Sequence, residues 1–184
     1  MTTITSQRYQ LRGIAISKQG GRPENQDDLG WVDTPLGFLV VVCDGMGGGP
    51  GGKTSSYIAK NVFLSEMLNS SPQASRVEAL KRAVSRANDA LYQKMEEQPS
   101  LKGMGSTLVA VLICGQSALV THLGDSRCYK FAATFSAHIC RSSDRKGEIR
   151  NLPFSLLTNP ASAEYNKLSL TRTHFQQKGE NEHG

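Results

Sequence analysis

The sequence is poor in the features that mark membrane, secreted or nucleic-acid-binding proteins. No stretch approaches about 18 consecutive apolar residues, and residues 1–10 contain no apolar signal core. Aromatic residues make up only 7% of the chain and no basic run alternates with them, so a nucleic-acid partner is not expected. These absences predict a cytoplasmic protein that neither spans a membrane nor binds nucleic acid.

Cysteine and histidine patterns that bind metals are also missing. None of the four cysteines forms a CxxC pair, which favours reduced thiols in a cytosolic protein: Cys43, Cys114, Cys128 and Cys140. The histidines lack the spacing of metal ligands: His122, His138, His174 and His183. Ser126 and Thr107 have no visible set of histidine and aspartate partners, so nucleophilic serine catalysis is not expected.

Length and charge set broad bounds on the protein. The 184 residues allow one domain with a hydrophobic core, and the net charge of +5 is a mild basic excess. Such an excess suits a phosphorylated or acidic partner, although it serves solubility equally well. There is no internal repeat, and nothing predicts an oligomeric state.

Hydrophobic patterns predict a mixture of short strands and two helices. Apolar runs and alternation predict strands over residues 9–17, 29–32, 36–43, 107–114, 118–123 and 127–131. Helical spacing of apolar residues predicts one helix over 53–68. A second helix is predicted to begin at Ser71-Pro72, with serine as N-cap and proline in the first turn, and to end near Gln98.

The most informative segment is Asp44-Gly45-Met46-Gly47-Gly48, which follows the apolar run 38–43. A strand that ends in a carboxylate and a glycine-rich turn presents a hard oxygen ligand at a sheet edge, where a metal ion or phosphate can approach the backbone. Three further segments accompany it: Arg22-Pro23-Glu24-Asn25-Gln26-Asp27, Gly103-Met104-Gly105-Ser106-Thr107-Leu108 and Leu123-Gly124-Asp125-Ser126-Arg127.

One interpretation of the glycine segment is a nucleotide-binding phosphate loop. Residues 47–54 match the pattern GxxxxGK[ST], follow a predicted strand and open a predicted helix. However, no later apolar strand ends in a magnesium-holding aspartate with the usual neighbours, since Asp125 follows a glycine and precedes Ser-Arg. This interpretation also leaves Arg22, Asp27 and Asp44 unexplained, so it is the weaker one.

A second interpretation accounts for all four segments together. Asp27, Asp44 and Asp125 each lie beside a glycine-rich or strand-end segment, so their carboxylates can converge at one end of a sheet sandwich. Carboxylates and backbone carbonyls suit Mg²⁺ or Mn²⁺, and two such ions can hold a hydroxide for in-line attack on phosphorus. Arg22 adds a planar guanidinium group that can donate two hydrogen bonds to phosphate oxygens.

The order of the motifs R-x-x-N-Q-D, V-x-D-G-M-G-G, G-S-T-L and G-D-S-R resembles that of the metal-dependent serine/threonine protein phosphatases, the PPM-type or protein phosphatase 2C family. The resemblance covers roughly residues 8–131 and is bacterial-like, because Met46 stands where animal members carry a histidine assigned as general acid. It implies an α+β fold: an αββα sandwich of two antiparallel sheets flanked by helices, here incomplete. It further implies hydrolysis of phosphoserine and phosphothreonine in protein substrates. Residues 105–107 would contribute to the packing of the strands and would take no part in catalysis.

By position, the resemblance implies a role for each matching residue. Arg22 binds the substrate phosphate. Asp44 and the backbone carbonyl of Gly45 bind the two Mn²⁺ or Mg²⁺ ions of a complete site, and Asp44 bridges them. Asp27 holds a metal through a water molecule, while Asp125 lies near an additional, weaker metal.

The remainder of the chain, residues 132–184, departs from the family pattern. The second half of the family domain supplies two further aspartates, in a Ser-Asp-Gly segment and an Asp-Asn pair. Neither string occurs after Phe131, where Asp144 is the only aspartate. We therefore expect a divergent tail, disordered or frame-shifted, that leaves the metal site half built and the activity impaired. The alternative is an inactive family remnant or a binding module.

Overall fold

A computed structural model describes residues 1–6, 8–9, 11–47, 50–115, 117–132, 135–138, 148–153 and 167–172. The elements in these ranges are β1 (Thr2–Ser6), β2 (Leu11–Ile16), β3 (Asp27–Thr34), β4 (Gly37–Met46), α1 (Pro50–Leu68), α2 (Arg76–Glu97), a 3₁₀ turn (Pro99–Leu101), β5 (Gly105–Ser106), β6 (Leu108–Cys114), β7 (Ser117–Leu123), β8 (Tyr129–Ala132), β9 (Phe135–His138), β10 (Glu148–Pro153) and β11 (Lys167–Arg172). No helix among them is long and apolar enough to cross a membrane.

All strand pairs within the described ranges are antiparallel. The central sheet has the order β10-β7-β6-β4-β3, and β5 is added beside the end of β4. A second sheet has the order β1-β2-β11, and β8 pairs with β9. Antiparallel sheets together with two helices confirm the predicted α+β class.

Strand β4 lies in the middle of the fold because its side chains alternate between two hydrophobic cores. Leu39, Val41 and Cys43 pack with residues of α1 and α2, whereas Phe38 and Val40 pack with residues of β1 and β2. A strand that is covered on both faces must be apolar at successive positions, which explains the unbroken apolar run in the sequence. Helices, central sheet and second sheet therefore form successive layers, with β4 at the centre.

Both predicted helices are present, but the second begins later than predicted. Helix α1 spans Pro50–Leu68, as predicted apart from an earlier start. The predicted start of α2 at Ser71-Pro72 is wrong, because its N-cap is Ser75, whose hydroxyl oxygen accepts a hydrogen bond from the Glu78 N–H at 3.5 Å. Ser-x-x-Glu is a capping-box pattern, and its glutamate also interacts favourably with the positive end of the helix dipole.

Sequence patterns do not predict strand β1, whose residues are polar apart from Ile4. That single apolar side chain is fully buried and joins the core between the two sheets. In the predicted tail, β10 pairs with β7 and β11 pairs with β2. Asp144 lies outside the described residues, and the domain boundary after residue 131 stays a prediction.

Candidate active site

Two carboxylates that the sequence predicts as metal ligands lie side by side at the open end of the β3–β4 hairpin. Asp27, the first residue of β3, is directly opposite Asp44, near the end of β4. The pairing runs without interruption from Thr34 opposite Gly37 to this pair. Directly opposed residues of an antiparallel pair project from the same face of the sheet, so strand register alone makes the two carboxylates neighbours.

The electrostatic environment of this pair suits a cation. Burial, a hydrogen bond with Asp44 and the negative charge of Asp44 raise the pKa of Asp27 from 3.8 to about 6, whereas the charge of Arg22 lowers it. The Asp27 N–H donates to Oδ1 of Asn25 at 3.1 Å, which fixes the backbone of Asp27. Two adjacent carboxylates resist being ionised together, so they share a proton. A divalent cation that prefers oxygen ligands can take the place of that proton.

Gly45 is required by the packing of helix α1 against strand β4. A Cβ atom at this position would lie 1.8 Å from the carbonyl oxygen of Gly52, in the first turn of α1. The Gly45 N–H donates to the carbonyl of Gln26 at 3.1 Å and so links the two strands just beyond Asp27 and Asp44. The glycine motif predicts access for a metal ion or phosphate at this position. In the structure, the backbone of α1 also occupies the space that a side chain at Gly45 would need.

Thr107 and Ser106 contact Asp44, although the family resemblance implies only a packing role for them. The Thr107 N–H donates to the Asp44 carbonyl at 2.8 Å, and the Asp44 N–H donates to Oγ1 of Thr107 at 3.0 Å. The hydroxyl of Ser106 lies 3.2 Å from the same carbonyl oxygen, and that of Ser126 lies 2.7 Å from Thr107 Oγ1. These partners are far apart in sequence, so no local pattern reveals the contacts.

The other two predicted site residues lie on exposed loops. Arg22 is exposed between β2 and β3, close enough to Asp27 to lower its pKa, and Asp125 is exposed in the turn after β7. In the part of the chain that the structure describes, no three aspartate, glutamate, histidine or cysteine side chains are grouped closely enough to hold a metal ion. The structure thus brings Asp27 and Asp44 together, and the metal role of Asp125 stays a prediction.

The glycine segment 47–54 does not favour a nucleotide site. Helix α1 begins within it at Pro50, and residues 48–49 lie outside the described ranges. Lys53 forms an ion pair with Glu24 at 3.6 Å, and both residues line a surface cleft of about 380 Å³. The preceding strand belongs to an antiparallel sheet, whereas folds built from strand–helix–strand units that cradle phosphate have parallel sheets.

Most of the chain matches a known protein family. The family model for protein phosphatase 2C matches residues 17–177, which include every element from β3 to β11. The serine/threonine protein phosphatase PstP of Mycobacterium tuberculosis is 33% identical over 119 residues, covering 65% of this chain and 22% of PstP. A putative protein phosphatase of Mycoplasma genitalium is 32% identical over 123 residues, covering 62% of this chain and 47% of that protein. The chain thus spans less than half the length of either relative.

The same fold occurs in a solved phosphatase structure. The catalytic domain of PstP in complex with two manganese ions aligns with a TM-score of 0.63 at 24% identity, over 89% of this chain and 73% of the other. At that level of identity the likeness concerns the fold. Because the family model covers most of the chain and the fold agrees, the chain belongs to the protein phosphatase 2C family, as its motifs predict.

Proposed function

We propose that the chain provides a metal-dependent site for hydrolysis of phosphoserine and phosphothreonine in proteins. The observation that carries the proposal is the cross-strand pair of Asp27 and Asp44, with Arg22 near enough to act on its charge. Carboxylates beside an arginine combine a cation site with a group that binds phosphate. Membership of the protein phosphatase 2C family and the names of the relatives support the same chemistry.

The residues would divide into phosphate-binding and cation-binding groups. Arg22 would bind the phosphate through its planar guanidinium. Asp44 and the carbonyl of Gly45 would contact the cations, Asp27 would hold a cation through a water molecule, and Asp125 would serve an additional, weaker ion. Bound Mn²⁺ or Mg²⁺ supplies positive charge to the phosphate and lowers the pKa of water for attack on phosphorus.

We infer Mn²⁺ or Mg²⁺ because the predicted ligands are oxygen atoms. The thiol of Cys43, next to Asp44 in the chain, is fully buried on the opposite face of β4, and burial and then the charge of Asp28 raise its pKa to about 12. Manganese is the first ion to test, because the PstP structure that shares this fold contains two manganese ions.

A second candidate function is an inactive family member that binds phosphoproteins without hydrolysing them. One observation is consistent with it: the described residues contain no group of three metal-binding side chains. Fewer charged ligands mean weaker cation binding, and hydrolysis would then fall while Arg22 still recognised phosphate. The two candidates differ in turnover and agree in their use of Arg22.

Release of phosphate from a phosphothreonine peptide tests the proposal. We expect the purified chain to release phosphate with Mn²⁺ and to stop when EDTA is added. Asp44→Asn should lower the rate by at least about 100-fold, because it removes a charged ligand. Asp89→Asn is the matched control, since Asp89 is exposed on helix α2. It removes the same charge away from the site and should keep the wild-type rate.

Arginine variants separate hydrolysis from binding. Arg22→Ala should raise KM for the peptide, whereas Arg86→Ala, an exposed position on α2, should leave it unchanged. A rate of Asp44→Asn equal to wild type would overturn the phosphatase proposal. A wild-type chain that binds the phosphopeptide through Arg22 but releases no phosphate would favour the binding module.

We also propose that the protein acts in a reducing compartment such as the cytoplasm. Cys43 and Cys114 are free thiols, as expected where disulfides do not persist. The expected absence of nucleic-acid and membrane partners stays a prediction from the sequence.

A further inference from the structure

Thr107 forms hydrogen bonds with both peptide groups of Asp44, and the hydroxyl of Ser106 adds a contact of 3.2 Å to the Asp44 carbonyl. The Thr107 N–H donates to the Asp44 carbonyl at 2.8 Å, and its Oγ1 accepts from the Asp44 N–H at 3.0 Å. The strand ladder between β4 and β6 ends at Val42 opposite Val109, so it does not include Asp44. Thr107 therefore fixes the backbone of Asp44 beyond the end of that ladder, and half of this contact depends on its side-chain hydroxyl.

The acceptors available to the Thr107 hydroxyl indicate the direction of its hydrogen bond with Ser126. Thr107 is only 1% exposed, so water does not satisfy its hydroxyl. Its oxygen already accepts from the Asp44 N–H, and its single proton needs an acceptor. Among the described residues the partner of this hydroxyl is Oγ of Ser126, at 2.7 Å. The donor count therefore favours Thr107 as the donor to Oγ of Ser126.

The turn that carries Ser126 packs closely against the side chain of Thr107. The carbonyl of Ser126 accepts from Nε2 of His122 at 2.9 Å, and His122 is completely buried. Gly124 adopts a positive φ of 91°, and a Cβ atom there would lie 2.7 Å from the Thr107 methyl group. The turn after β7 and the end of β4 are thus joined through one buried threonine side chain.

We propose that Thr107 and Ser126 are positioning residues for Asp44. They hold the Asp44 backbone so that its carboxylate stays opposite Asp27, and they couple Asp44 to the turn that carries Asp125. The proposed effect on cation binding rests on the phosphatase function proposed above. The effect on the Asp44 backbone does not depend on that function, because the hydrogen bonds to Asp44 are formed in the protein without metal.

Variants at Thr107 test this role in two measurements. In Thr107→Val the Asp44 amide loses its acceptor, so its hydrogen exchange in EDTA, followed by NMR, should speed up about tenfold. Calorimetric titration should show Mn²⁺ affinity lower by about 10- to 100-fold. Thr107→Ser keeps the hydroxyl and should restore both values. Ser126→Ala is a second variant, which removes the acceptor of Thr107 and should shift both values in the same direction by less.

Thr121→Val is the matched control. Thr121 is as buried as Thr107, at 2% exposure, and its hydroxyl has no hydrogen-bond partner in the described part of the chain. It should leave Asp44 exchange and Mn²⁺ affinity at their wild-type values. A wild-type exchange rate at Asp44 in Thr107→Val would overturn the proposal, and so would an equal loss of Mn²⁺ affinity in Thr121→Val.

Failure of the proposed phosphatase function gives a different result. If the wild-type chain binds no Mn²⁺ and hydrolyses nothing, that function is wrong, and the Asp44 exchange rates alone decide the positioning role. Faster exchange in Thr107→Val, restored in Thr107→Ser, supports it. If the wild-type chain binds Mn²⁺ and Thr107→Val shows faster Asp44 exchange with unchanged Mn²⁺ affinity, the proposed effect of Thr107 on cation binding is overturned.

Discussion

Removal of the Asp27 charge should stabilise the metal-free protein at neutral pH. Burial, a hydrogen bond with Asp44 and the charge of Asp44 raise the pKa of Asp27 from 3.8 to about 6, against the opposing effect of Arg22. Between these two pH values the folded protein holds a proton that the unfolded chain has released. Stability therefore falls as the pH rises through this window, and above about pH 6 the folded state carries an unfavourable carboxylate pair.

The size of this effect follows from the raised pKa. The difference between about 6 and 3.8 corresponds to about 3 kcal/mol, at about 1.4 kcal/mol for each pH unit. Asp27 is only partly buried, so solvent screening reduces the expected contribution to about 1 kcal/mol. Asp27→Asn keeps the shape of the side chain and removes the charge. It should raise the free energy of unfolding by about 1 kcal/mol at pH 7.5 and by almost nothing at pH 4.

Urea unfolding in EDTA at the two pH values measures this difference. Asp89→Asn provides the control, because an exposed carboxylate on α2 should change stability by less than about 0.5 kcal/mol at either pH. A loss of stability in Asp27→Asn at pH 7.5 would refute the reasoning, as would the same change at both pH values. The stabilisation should be accompanied by weaker Mn²⁺ binding if Asp27 belongs to the proposed site.

Two further substitutions test how α1 is held against the sheet. Gly45→Ala should cost more than about 3 kcal/mol or prevent folding, because its Cβ would lie 1.8 Å from the Gly52 carbonyl oxygen. Gly21→Ala, which meets nothing within 4 Å, should leave the melting temperature from circular dichroism nearly unchanged. Lys60→Met should cost about 1–2 kcal/mol in urea unfolding, because it leaves Asp28, 2.8 Å away and largely covered, without its cation. The double variant with Asp28→Asn should recover part of that loss, and strictly additive losses would contradict the ion pair.

Elements with strong local patterns could be predicted from the sequence, and weakly patterned ones could not. The apolar run before Asp44 and the helical stripe of α1 each fix an element, because burial requires those residues at those positions. Strand β1 has one buried apolar residue, Ile4, and so lacks an alternating pattern. The start of α2 was predictable in principle from the Ser75-x-x-Glu78 capping pattern, which competed with Ser71-Pro72 as a helix start.

Sequence motifs single out the residues of the candidate site, but the contacts among these residues could not be predicted. Motifs identify Asp27 and Asp44, and hairpin register then makes them neighbours. The hydrogen bond between Thr107 and Asp44 joins positions 63 residues apart in the sequence. Only the tertiary fold determines which strand end meets which turn. Gly45 illustrates the same limit, since the helix backbone that requires a glycine there comes from a different element.

Calorimetric titration with Mn²⁺ at pH 7.5 tests most directly whether Asp27 and Asp44 form a cation site. We expect saturable binding to the wild-type chain, the same affinity in the Asp89→Asn control, and an affinity at least about tenfold lower in Asp44→Asn. Equal affinity in the wild-type chain and Asp44→Asn, or no binding by the wild-type chain, would contradict the assignment of the site.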